Sequence, residues 1–149
     1  MKTPVPVSFL FSSALFAAAR LNNLALLDLL LNANASSPEY INFQDTETGQ
    51  TPLMLASYNG HLDIVNKLIG SNADVNLLDA KNQTALALAV MIRFGDYGFP
   101  SMAEFENKYT IAKHLLEAGA SPDVVIGDVE GVEKLSLLMR SFDYFKLGR

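Results

Sequence analysis

The chain has 149 residues, half of them hydrophobic and 18% charged, so one continuous core fits it and disorder does not. Its net charge of −5 repels phosphate backbones, which argues against nucleic acid and for a basic protein partner. The lack of cysteine excludes disulfides, thiolate nucleophiles and zinc knuckles. Mean hydropathy is +0.19, so apolar surface is in surplus, and a partner interface is one place for it.

The chain opens with Lys2 and an apolar run over residues 5–19 that ends in Ala17-Ala18-Ala19. A secretory signal with a small-residue cleavage site has this form. Pro4, Pro6, Ser8, Ser12 and Ser13 thin the run, however, and an internal repeat continues through it, so a buried helix is the preferred reading. No later stretch is long and apolar enough to span a bilayer. The expected location is therefore cytoplasmic, with secretion as the alternative and no membrane contact.

A repeat emerges when Thr51-Pro52-Leu53-Met54-Leu55-Ala56 is aligned with Thr84-Ala85-Leu86-Ala87-Leu88-Ala89, 33 residues later. In the clearer first copy, Thr51 suits a helix N-cap and Pro52 the first helical position. Gly60 fits a left-handed stop. Ile64, Val65, Leu68 and Ile69 carry the paired-apolar spacing of a second helix. Asn72 then takes the left-handed position that glycine usually fills. The unit as a whole, Asp45, Gly49-Gln50-Thr51-Pro52-Leu53, Ala56, Gly60-His61 and Asn72-Ala73-Asp74-Val75-Asn76, resembles the ankyrin-repeat family. That resemblance implies an all-α solenoid of stacked helix-turn-helix units with short finger turns. Met54 departs from the family's histidine and removes a side chain that normally hydrogen-bonds within the repeat.

The other units are degraded. In the first, Ser13-Ala14-Leu15 and Ala18 open a helix, Leu26-Leu27 and Leu30-Leu31 build a second, and Asn34-Ala35 takes the place of Asn72-Ala73. The third runs through Thr84, Leu86 and Ala89, then resumes at Ile111-Ala112 and Leu115-Leu116. Its offset from the second unit grows from 33 residues at Thr84 to 47 at Leu115, an insertion of 14. Gly95, Gly98 and Pro100 mark a loop, and Ser101-Met102-Ala103-Glu104 reads as a capping box, so the second helix starts near Met102 and runs towards Ala118. The expected division is one domain: repeats at about 5–41, 42–75 and 76–122, an insertion at 93–107, and a C-terminal cap at 123–149. Leu135, Leu137, Leu138, Met139, Phe142 and Phe145 make that cap apolar, and a homo-oligomer could form through it.

The resemblance also implies where a protein partner is held: on the finger tips and the exposed ends of the first helices. Those positions are Arg20 and Leu21 in the first unit, Glu47, Gln50, Tyr58 and Asn59 in the second, and Ala80, Lys81, Gln83, Met91 and Ile92 in the third, with Leu78 at the junction. Phe94, Tyr97 and Phe99 in the insertion either form a recognition loop or cover the extended helix as a local satellite core. Met91 and Ile92 either centre an interface or are buried under that loop.

Catalysis has little support. His61 occupies the family's Gly-His position and has a structural role, and His114, beside Leu115, is expected to face solvent. The acidic residues stand singly, and no phosphate loop, nucleophile elbow or metal motif occurs, so no cofactor and no metal are expected. The leading expectation is a non-enzymatic protein-interaction module. Its rivals are an inhibitor or immunity-type protein masking a basic effector, and a small enzyme or ligand carrier with the insertion as a lid.

Overall fold

A computed structural model describes residues 3–4, 6–35, 37–91 and 101–122. Among these are seven α-helices: α1 (Val7–Arg20), α2 (Leu24–Leu30), α3 (Pro38–Ile41), α4 (Pro52–Asn59), α5 (Leu62–Gly70), α6 (Ala85–Val90) and α7 (Met102–Glu117). A π-helical turn, Leu31–Ala35, follows α2. The helices form two layers. First helices α1, α4 and α6 pack side by side in one, and second helices α2, α5 and α7 form the other. Leu15, Leu27, Leu53, Ile64, Leu68, Leu86, Ile111 and Leu115 run between the layers as one fully buried spine.

Local chemistry sets each boundary. Thr51, Thr84 and Ser101 cap α4, α6 and α7 by accepting the backbone N–H of the third helical residue. Glu104 answers Ser101 by accepting its N–H at 2.8 Å, which completes the box read from the sequence. Gly60 (φ 75°) stops α4 in the left-handed region, and Asn72 (φ 64°) takes the same conformation after α5. Met54 fills the missing histidine's role in part: its sulfur lies 3.4 Å from the Thr51 N–H and accepts from it.

The first unit departs from expectation twice. Helix α1 begins at Val7, well before Ser13, because the residues ahead of Ser13 contain no finger-turn pattern and the Pro6 carbonyl accepts from Phe9 and Leu10 N–H. Asn34-Ala35 does not reproduce the left-handed stop of Asn72-Ala73. It lies in the π turn instead. After Asn72 the chain must reach the next turn within four residues, whereas after Asn34 it has a longer connection, which contains α3.

The finger turns are held by aspartates. Asp45 accepts the Thr48 N–H (2.9 Å), the Thr48 hydroxyl (2.8 Å) and the Glu47 N–H (3.2 Å). Asp79 is buried and accepts the N–H groups of Lys81 and Gln83, both at 2.8 Å. The fingers also touch each other. Ala80 N–H donates to Thr48 O at 3.0 Å, and the Gln44 amide donates to both Gly49 O (2.8 Å) and Leu78 O (2.7 Å). The Thr48 N–H and then its hydroxyl hold the Asp45 carboxyl below its ordinary pKa.

Two outcomes are expected. Gly49 has φ +68°, and a Cβ there would lie 2.8 Å from Ala80 N, whereas Gly70 has nothing within 4 Å. Gly49→Ala should therefore cost about 1–3 kcal/mol in urea unfolding. Gly70→Ala should cost nothing and can gain up to about 1 kcal/mol. Because the folded Asp45 pKa is depressed, its contribution is complete above the ordinary aspartate pKa of about 3.9 and is lost as pH falls through the lowered value. Melting temperature followed from pH 7 to pH 2 should fall less steeply in Asp45→Asn than in the wild type.

Candidate functional site

The positions expected to hold a partner fall at the C-terminal ends of the first helices and in the finger turns that precede those helices. Arg20 ends α1, Tyr58 and Asn59 end α4, and Met91 caps the C-terminus of α6. Glu47 and Gln50 belong to one finger and Lys81 and Gln83 to the next, with Leu78 between them. Arg20, Glu47, Asn59 and Lys81 are exposed, while Gln50, Tyr58 and Gln83 are half-buried. Three large apolar side chains stand out at these positions: Leu21 is 66% exposed, Leu78 42% and Met91 41%. The Gln83 amide reaches the Met91 sulfur at 3.7 Å, tying the second finger to the end of α6. Ile92, Phe94, Tyr97 and Phe99 lie outside the described residues, as does the C-terminal segment 123–149.

Sequence reading missed how this side is held. His61, at the N-cap of α5, has Nε2 3.2 Å from the Arg20 carbonyl, which can only accept, so this nitrogen carries the proton. One unit later, 47 residues on, the same place is taken by Lys108. Its ammonium donates to Tyr58 O at 2.8 Å, Met91 O at 2.9 Å and Ala89 O at 3.5 Å. It also lies 5.6 Å from the Tyr58 ring centroid. Lys108 thus matches three donors to the carbonyls at the ends of α4 and α6, where a cation is also favoured by the helix dipoles. The signal was present in the sequence. Lys108 falls at the register of His61 once the insertion is counted out.

His114 corrects an expectation. It is half-buried, and its Nδ1 lies 2.6 Å from Asn66 Oδ1 on α5. An exposed ion pair, Lys67 to Asp28 at 2.7 Å, joins α5 to α2 in the same way. Both histidines are therefore engaged between units. Among the described residues no cluster of three or more His, Asp or Glu side chains could hold a metal, and no helix is long and apolar enough to cross a membrane. What the arrangement offers chemically is a fixed surface of polar and apolar side chains.

Two-helix units stacked in register and joined by finger turns define a helical repeat protein. The chain belongs to the ankyrin-repeat family, whose three-copy model matches residues 15–128. It is similar to ankyrin repeat domain-containing protein 29 of Danio rerio, 47% identical over 66 residues, which cover 44% of this chain and 21% of that protein. The Homo sapiens protein of the same name is 46% identical over 66 residues, with the same coverage. Ankyrin repeat-containing protein YGL242C of Saccharomyces cerevisiae is 30% identical over 119 residues, 76% of this chain and 62% of that protein. The match thus spans about a fifth of the first two relatives. Ankyrin repeats generally serve as protein-interaction modules rather than enzymes.

Replacing Lys108 by Met keeps the aliphatic stem but strands the three carbonyls. Lys108→Met should lower stability by about 1–3 kcal/mol. Amide exchange should quicken at the C-terminal ends of α4 and α6 before it does so in α5.

Proposed function

We propose that this chain binds a protein partner through the surface formed by its finger tips and the ends of α1, α4 and α6. The observation that carries this reading is the placement of Leu21, Leu78 and Met91. Each is an exposed apolar side chain at a helix end or finger turn, elements that also carry polar Arg20, Glu47, Gln50, Asn59, Lys81 and Gln83. An apolar centre with a polar rim is the usual anatomy of an interface. The helix ends that carry Arg20, Tyr58 and Met91 are pinned by His61 and Lys108, so little order has to be gained on binding. Ile92, Phe94, Tyr97 and Phe99 follow Met91 directly in the chain and enter the proposal on that ground alone.

Charge on the described part of this surface is mixed, with Arg20 and Lys81 against Glu47. The preference for a basic partner therefore rests on the net −5 of the whole chain, which speeds encounter more than it strengthens the contact.

Capture from the native cell should be compared for the wild type, Leu78→Glu and Met91→Glu, with Lys113→Ala on the second-helix layer as control. Each glutamate should reduce recovery of the partner about tenfold or more, the effect of losing one interfacial anchor, and the control should leave it unchanged. Full recovery by both glutamate variants, at unaltered melting temperature, would place the partner elsewhere.

A further inference from the structure

The sequence holds one Asn-Gly step, Asn59-Gly60, and it falls where α4 ends. In such a step the backbone nitrogen readily attacks the preceding side-chain amide, because glycine has no Cβ to hinder the approach. Asn59 is exposed, so the base and water that the reaction needs have access. Three features of the fold hold it back. The Asn59 amide donates to Leu55 O at 2.9 Å, which points the side chain back along α4 and away from Gly60. The Gly60 N–H is engaged by the Ala56 and Ser57 carbonyls. Lys108 then fastens the turn from the next unit. Its ammonium meets Tyr58 O, the carbonyl of the peptide bond into Asn59, at 2.8 Å. The same side chain runs beside Gly60, its Cγ 3.8 Å from where a Cβ on that residue would sit. The first two bonds belong to the last turn of α4 and are lost together when it unwinds, and Lys108 is placed to oppose the unwinding.

We infer that Asn59 is a site of spontaneous deamidation, and that Lys108 gates it. When the last turn of α4 unwinds, the Gly60 nitrogen gives its proton to base and attacks Asn59 Cγ. The bond from Cγ to the side-chain nitrogen breaks, that nitrogen takes up a proton and leaves as ammonia, and a cyclic succinimide remains. Water adds to either ring carbonyl and opens it, leaving aspartate or isoaspartate. Nothing is oxidised or reduced. The product does not refit the turn. A carboxylate cannot donate to Leu55 O, and a negative charge is disfavoured at the C-terminal end of a helix. Isoaspartate also routes the backbone through the former side chain and lengthens it. On the reading that Tyr58 and Asn59 belong to a partner-binding surface, the step is a slow, one-way alteration of that surface.

Peptide mapping by mass spectrometry tests this on the full chain, incubated alone at mildly alkaline pH and sampled over days. Asn59 should deamidate ahead of every other asparagine. Lys108→Met should speed the reaction about five- to thirtyfold, the rise in open population expected when one such tie is lost. Because that variant also lowers overall stability, the wild-type rate is measured in low urea as well. Opening of a single turn exposes little surface, so the rate should stay nearly flat with urea well below the unfolding midpoint. Another asparagine reacting first, an unchanged rate in Lys108→Met, or a wild-type rate that climbs with urea in step with global unfolding would each overturn the inference. The reaction is followed without a partner, so its outcome is independent of the capture experiment on Leu78 and Met91.

Discussion

The structure depends on a bond between neighbouring units: a cationic or imidazole donor at one register of a second helix reaches a carbonyl at the end of the preceding unit's first helix. His61 does this to Arg20 and Lys108 to Tyr58, while the Met91 carbonyl that Lys108 also meets belongs to its own unit. A two-helix unit cannot bury its apolar stripe alone, so the units have no fixed arrangement until something sets their register. Apolar contact supplies most of the attraction but is non-directional. The donor-to-carbonyl bonds select one register. They also satisfy orphan carbonyls at helix ends that would otherwise need water. Along the second helices, Lys67 with Asp28 and His114 with Asn66 repeat the same step on the other layer.

Features confined to one unit were legible in the sequence because their causes are local. Thr51 and Thr84 as caps, Gly60 and Asn72 as left-handed stops, and the Ser101–Glu104 box each depend on a few adjacent residues. Features between units were not. Lys108 carries no motif of its own, and His114 reads as solvent-facing, because their roles exist only when the insertion is removed from the count. Asn34-Ala35 failed for a related reason. The dipeptide is the same as Asn72-Ala73, but the left-handed stop is imposed by how soon the chain must turn into the next finger. The longer connection after Asn34 lifts that demand. The candidate surface was legible as a set of positions, but the pinning of its backbone was not.

The two histidine registers show how far the repeat tolerates substitution. Lysine can replace imidazole at His61's place because the geometry there asks only for a donor aimed at carbonyl oxygens, and an ammonium supplies three. Methionine can replace histidine at position 54 because the demand is for an acceptor near the Thr51 N–H, and a thioether meets it weakly. Each replacement preserves the direction of hydrogen bonding while changing the chemistry of the group. The family pattern therefore survives in this chain as donors and acceptors in fixed places more than as residue types.

The insertion in the third unit is tolerated for the same reason. Met91 is where the chain leaves α6, and Lys108 stands where the repeat's second helix resumes its ordinary register. The two are joined at 2.9 Å. Exit and re-entry are thus fixed relative to each other whatever lies between. Lengthening a closed loop adds only about 0.6 kcal/mol for each doubling. The first six residues of α7 then carry the chain back as an extra helical stretch, capped by Ser101 and Glu104, before the stack is rejoined. One lysine therefore holds the ends of two first helices and ties together the points where the chain leaves the repeat's register and resumes it. By doing so it keeps the register of the units on either side independent of the number of residues between Met91 and Lys108.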